Sequence, residues 1–319
     1  MLNYSDFKKA DIRETSSFEE TLELCKTIRQ SGDKKPYVIR IRKTEEEGTF
    51  RFPYSDFMLE FEKGSLLKGN HYGNEYDASL HMMRTTWHTA VLTVTGNNNI
   101  FINLQVQNTA LNPKVKGTSI AVSLFGKDNL FVKCDISSTQ DTLFLGPLPD
   151  DLVTRYLGFI PEEERLIQGN LRNYFMNTRI AGSVDFIFGA GQGVFHNCLI
   201  ETVKDGRNGD NYVCAPAHSL KDDFGFVFAD CSFIGPDDQV ESTYLARPWR
   251  DYGKVCFINC TYNKHIRKEG FADWSKSAKR YLTARFEEFP LEKGRVRWVF
   301  NSREKQEILN KYLEEIKKI

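Results

Sequence analysis

One phrase returns six times along the chain and limits what it can fold into. It reads FVKCDI from Phe131, FHNCLI from Phe195, FADCSF from Phe228 and FINCTY from Phe257, while FINLQV from Phe101 and FMNTRI from Phe175 lack the cysteine. The order is phenylalanine, any residue, often Asn or Asp, then Cys, Leu or Thr, any residue, and an apolar or aromatic residue. Apolar and polar residues alternate with a period of two, so each copy reads as a short half-buried strand. The starts lie 30, 44, 20, 33 and 29 residues apart, too uneven for propeller blades of fixed length. Stacked rungs that release loops of variable size satisfy both the repeat and its irregular spacing. Helical periodicity between the copies is scarce, which disfavours alternating βαβ units. The fold class expected is an all-β solenoid.

The phrase also accounts for four of the seven cysteines, Cys134, Cys198, Cys231 and Cys260. Their number is odd and their spacings long, no C-x-x-C occurs, and the six histidines contain no H-x-x-x-H. Neither a disulfide framework nor a metal site is expected, and each repeated cysteine reads as a small interior residue. Lys plus Arg equals Asp plus Glu at 43 each in 319 residues, so no bulk charge directs the chain to nucleic acid or an anionic membrane. No apolar run approaches the ~18 residues of a membrane span. The opening MLNYSDFKKADIRE lacks the apolar core of a signal peptide, so a cytoplasmic location is expected unless a leader has been removed.

Solenoid ends need covering. Residues 16–32 predict a capping helix, with Ser17 as N-cap, Glu20 three residues on, Phe18, Leu22, Cys25 and Ile28 on one face, and Gly32 as the stop. Residues 304–319 carry a second amphipathic stripe through Ile308, Leu309, Tyr312, Leu313, Ile316 and Ile319. Residues 146–170 interrupt the strand rhythm and read as a long loop within one continuous domain, 1–319.

Against this repeat, two aspartates stand out. Asp185 sits among Val184, Phe186, Ile187 and Phe188, where desolvation penalises a lone charge. It lies 10 residues after its phrase start, Phe175, and Asp141 lies 10 after Phe131. SSTQDTLF thus superposes on AGSVDFIF without a gap, placing Gln140 on Val184 and Asp141 on Asp185. On successive rungs ~4.8 Å apart the two carboxylates would be neighbours. One pKa should then rise while the other stays low, which divides proton donor from nucleophile. In STYLARPWRDYGK, Arg247 is placed to bind Asp185 bidentately, and Trp249 offers a flat face for a sugar ring.

TQDTLF, GSVDFIFG and YLARPWR, in that order, resemble the signature segments of pectin methylesterases. TWHTAVLTVTGNNNIFINLQVQNTA (86–110) and HIRKEGFADWSK from His265 are similar to further family segments, so the resemblance spans roughly residues 86–300. It implies a right-handed parallel β-helix and hydrolysis of the C6 methyl ester of galacturonate units in pectin or oligogalacturonides. Carried over, Asp185 would be the nucleophile, Asp141 the general acid and then base, Gln140 an oxyanion donor and Arg247 the group that orients Asp185. Trp249, Phe144, Phe188, Phe186 and Thr89 would bind the sugar, and no cofactor or metal is implied. Ile120 departs from the pattern, because the family's second glutamine belongs there. Phe144 stands where many members have Tyr, and Ala246 replaces a frequent Gly.

That departure keeps two other functions open: an esterase of this fold acting on another uronate ester, and a weakly active homologue that keeps only a carbohydrate-binding groove. A serine hydrolase is disfavoured by the lack of G-x-S-x-G, and GAGQG (189–193) reads as a glycine turn, not a dinucleotide loop. A polysaccharide lyase would want calcium-binding carboxylates or a lysine or arginine base near its site, and nothing specific here demands either.

Overall fold

The computed structural model describes residues 4–79, 81–110, 117–155 and 162–300. The predicted stripe at 304–319 lies outside the described residues. Among the described residues the chain coils through three parallel sheets of 10, 8 and 7 strands, and each turn adds one strand to a sheet beside the strand from the turn before. The architecture is a parallel β-helix. Its interior is filled by one apolar cluster running from Phe18 to Val299.

The repeated phenylalanines lie in register on the largest sheet, Phe101 beside Phe131, then Phe175, Phe195, Phe228 and Phe257. All six rings are fully buried. They stack with centroid separations of 4.7, 5.3, 4.7, 4.5 and 5.0 Å. The phrase is not one strand, however. Its third residue, Asn103, Lys133, Asn177, Asn197, Asp230 or Asn259, has φ between 51° and 62°. This left-handed corner ends a strand of the first sheet and starts one of the second. It favours Asn and Asp because their short side chains tolerate that conformation. The fourth residue then points inward. Cys134, Cys198 and Cys231 donate their thiols to the carbonyls of Phe101, Phe175 and Phe195 on the preceding rung at 3.3–3.4 Å. Thr178 donates likewise to Phe131 O at 3.2 Å.

A second ladder, of amides, lies two residues before three of the phenylalanines. Asn129 Oδ1 accepts from the Asn99 backbone N–H at 3.0 Å, and Asn173 Oδ1 accepts from that of Asn129 at 3.1 Å. All three side chains are fully buried. At the start of the coil the helix Phe18–Gln30 is capped by Ser17, whose Oγ accepts from Glu20 N–H at 3.0 Å. Phe18 closes the open end against Phe50, Phe52 and Phe61. Residues 146–170 are not loop throughout: they hold short helices Asp150–Arg155 and Glu162–Arg165. Leu148 and Leu152 bury themselves there against the outer face of the third sheet, beside Phe144 and Phe188.

Candidate active site

The site lies on the outer face of the third sheet, whose order brings strands Leu143–Leu145, Val184–Gly189, Asn211–Pro216 and Thr243–Ala246 side by side. Phe144 pairs with Phe188, an offset of 44 residues that also separates Asp141 from Asp185. The Asp141 backbone N–H donates to Val184 O at 3.0 Å, so the two aspartates stand on adjoining rungs. Both have left-handed backbones, with φ of 62° and 50°.

Asp185 sits where the pairing slips. Val184 faces Tyr212 and Ile187 faces Cys214, so the Asp185 strand carries one residue more than its partner. This bulge re-aims side chains. Phe186 and Ile187, though consecutive, both enter the interior, and Phe188 emerges outside. The flanking glycines are required by crowding: a Cβ on Gly182 would lie 2.2 Å from Phe186 Cβ, and one on Gly189 2.1 Å from Leu145 O. The apolar stretch around Asp185 is therefore mostly core, with a kink that turns the carboxylate outward.

Arg247, just beyond its strand, reaches back across the intervening rung. Its guanidinium lies 3.8 Å from the Tyr212 ring centroid and 4.5 Å from that of Trp274. There Nε donates to Asp185 Oδ1 at 2.9 Å and Nη2 to Oδ2 at 2.6 Å, a bidentate pair. Asp141 forms no ion pair among the described residues. The electrostatics follow. Burial, then the negative charge of Asp185, push the Asp141 carboxyl well above the ordinary carboxylate range. Burial raises Asp185 as well, but Arg247 opposes that rise through its hydrogen bonds and charge. Arg247 thus favours the charged form of Asp185, whereas Asp141, without such a partner, is pushed further towards its protonated form.

A pocket of about 190 Å³ is lined by Gln140, Asp141 and Asp185 together with Thr86, Trp87, Phe188, Ala215, Trp249 and Trp274. It opens into a cleft of about 830 Å³ that shares Thr86, Trp87, Gln140, Trp249 and Trp274 and is edged by Arg84, Arg250 and Arg280. Arg207 Nη1 donates to Gln140 Oε1 at 2.8 Å. Among the described residues no group of three or more His, Cys, Asp or Glu is placed to hold a metal ion.

The family model described as Pectinesterase matches residues 162–303, which include Asp185 and Arg247. Over that stretch the chain is similar to pectinesterases. It is 27% identical over 197 residues to the pectinesterase of Petunia integrifolia, covering 60% of this chain and 46% of that protein. The chain spans between about a quarter and a half of the length of the curated relatives it matches. Among solved structures, the pectin methylesterase from carrot superposes with a TM-score of 0.69 at 23% identity, covering 86% of this chain and 82% of that one. A pectin methylesterase in complex with a hexasaccharide gives 0.71 at 16% identity, covering 94% and 95%. These likenesses establish the shared β-helix.

Of the residues expected from the sequence, Gln140, Asp141, Asp185, Phe188 and Trp249 converge on one pocket, with Arg247 behind Asp185. The other expected sugar-binding residues lie elsewhere. Phe186 is turned into the interior by the bulge. Phe144 is fully buried beside Phe188 on the adjoining rung, at a centroid distance of 5.0 Å. Thr89 is buried and engaged with the backbone, donating to Thr86 O at 2.6 Å and accepting from Ile120 N–H at 3.0 Å. Ile120, in place of the family's second glutamine, is fully buried in the apolar cluster with Phe144 and Phe188 and supplies no side-chain donor. Sequence reasoning missed Thr86, Trp87, Trp274, Tyr212 and Arg207. Trp87 and Trp274 lie inside segments that carry the resemblance. Tyr212 and Arg207 carry no local signal.

Proposed function

We propose that the chain is a carboxylic ester hydrolase that removes the C6 methyl ester from methylated galacturonate units of pectin or oligogalacturonides. One observation carries the reading: two buried aspartates on adjoining rungs, only one of which is held as an anion by arginine. Asp185 attacks the ester carbonyl, and the Gln140 amide stabilises the tetrahedral oxyanion. Asp141 gives its proton to the departing methoxide, releasing methanol and leaving an acyl-Asp185 anhydride. The Asp141 carboxylate then takes a proton from water, whose hydroxide cleaves the anhydride. This frees the uronate and restores both aspartates. Trp87, Trp249 and Trp274 supply flat walls for sugar rings, and the arginine-edged cleft suits a chain of uronates. The complex of a structurally similar pectin methylesterase with a hexasaccharide supports a substrate of several sugar units.

The test is methanol release from methylated pectin and from short methylated oligogalacturonides. Asp185→Ala is expected to reduce kcat by ~10⁴-fold or more, the scale of removing a nucleophile. Release at the wild-type rate by that variant would refute the mechanism.

A further inference from the structure

Behind the Gln140 amide stands an arginine held from several sides. Arg207 Nη1 donates to Gln140 Oε1 and Nη2 to Ser183 Oγ, both at 2.8 Å. Its Nε and Nη2 also bond Asp205 Oδ2, while its backbone N–H donates to Asp205 Oδ1 at 3.0 Å. The side chain is three-quarters buried, with 25% exposure. A guanidinium carries donors and no acceptor. The Gln140 atom that meets it must therefore be the carbonyl oxygen, since the two ends of a carboxamide are told apart by their partners. With Oε1 committed to Arg207, the NH₂ group is the end left for the pocket that Gln140 shares with Asp141 and Asp185.

We propose that Arg207 is a positioning residue that fixes the Gln140 carboxamide with its N–H groups aimed at the oxyanion formed when Asp185 attacks. The inference rests on the ester-hydrolase reading above. An unrestrained carboxamide can present either its oxygen or its NH₂, and the oxygen repels an oxyanion. A donor already oriented needs no reorganisation during the reaction. This matters most in a site where Ile120 contributes no second amide. The guanidinium also polarises the carboxamide, which strengthens its N–H donors.

The experiment compares wild type, Arg207→Met, Arg207→Lys, Gln140→Ala and the Arg207→Met/Gln140→Ala double variant in methanol release. Each is measured at its own pH optimum on a methylated oligogalacturonide, because the Arg207 charge also favours ionisation of both aspartates. Arg207→Met is expected to lower kcat about tenfold with KM changed by less than about twofold, a fraction of the full loss of an oxyanion donor. Arg207→Lys should recover part of that loss, since an ammonium still donates to Oε1. In the Gln140→Ala background the Arg207→Met substitution should change kcat by less than about twofold. An equal loss with and without Gln140, or full activity in Arg207→Met, would overturn the proposal. A second readout does not depend on turnover: with ¹⁵N-labelled glutamine, the Gln140 side-chain amide should be rigid in wild type and mobile in Arg207→Met. If wild type releases no methanol, the hydrolase reading fails separately. An amide equally rigid in both proteins would then still sink the positioning role.

Discussion

At the residue scale, the same desolvation that favours the protonated form of Asp141 must weaken the fold. An unfolded aspartate titrates near pH ~3.9, whereas burial and Asp185 place the folded Asp141 carboxyl well above that. The folded chain therefore holds a proton that the unfolded chain releases. The resulting stability is fully present below pH ~3.9 and is lost as pH rises through the folded value, by about 1.4 kcal/mol per pH unit for an isolated group. Asp141→Asn removes this dependence. It should be more stable than wild type, by a margin that widens from pH 4 upward, in denaturant unfolding followed at pH 4, 5, 6 and 7. A constant margin, or a less stable variant at pH 7, would contradict the assignment of Asp141 as the protonated partner. The positions of Asp141 and Asp185 were legible because equal offsets within a repeat become neighbouring positions when rungs stack. Arg207 was not legible, because its contact with Gln140 joins residues 67 apart that share no phrase. Phe186, which the resemblance grouped with the sugar-binding residues, lies inside for a different reason: at a bulge one extra residue reverses which face the next side chains occupy.

At the scale of elements, the binary pattern located every rung of the largest sheet that bears the phrase, yet read a corner as a continuous strand. The left-handed residue at the third position changes the chain's direction without altering its polarity pattern, so alternation alone cannot reveal it. The amide ladder was equally hidden, since asparagine usually signals a turn. Its energetic role follows from what it satisfies. Asn129 accepts from the backbone N–H of Asn99 and donates to Gly96 O at 3.0 Å, all inside the coil. Asn129→Ala leaves a buried N–H and a buried carbonyl without their partners, at ~1–3 kcal/mol each. Equilibrium urea unfolding should show a loss of ~2–5 kcal/mol. Asn97→Ala, at a partly buried turn, should cost about 1 kcal/mol or less. Equal losses in the two variants would show that the ladder contributes nothing beyond an ordinary surface amide.

At the scale of the molecule, a solenoid transmits stability mainly through adjacent rungs, so the same kind of side chain should matter differently at the end and in the middle. Phe18 is fully buried, but its ring partners are Phe50, Phe52 and Phe61 near the first turns. Phe175 is equally buried and is stacked on both sides, by Phe131 and Phe195. Either truncation to alanine removes ~3–5 kcal/mol of local packing. For Phe18→Ala the loss should appear as fraying, with faster hydrogen exchange in Tyr37–Ile41 and Phe57–Phe61 and unchanged protection in Val184–Gly189. Methanol release by that variant should stay within about twofold of wild type, because Asp141 and Asp185 stand several rungs away. Phe175→Ala sits on the rung that leads directly to Asp185, and should speed exchange on both sides of it and depress turnover as well. A Phe18→Ala variant that exchanged faster uniformly along the coil would mean that the helix unfolds as one cooperative body. The precision of the two-aspartate site would then depend on the terminal cap as much as on its own rung.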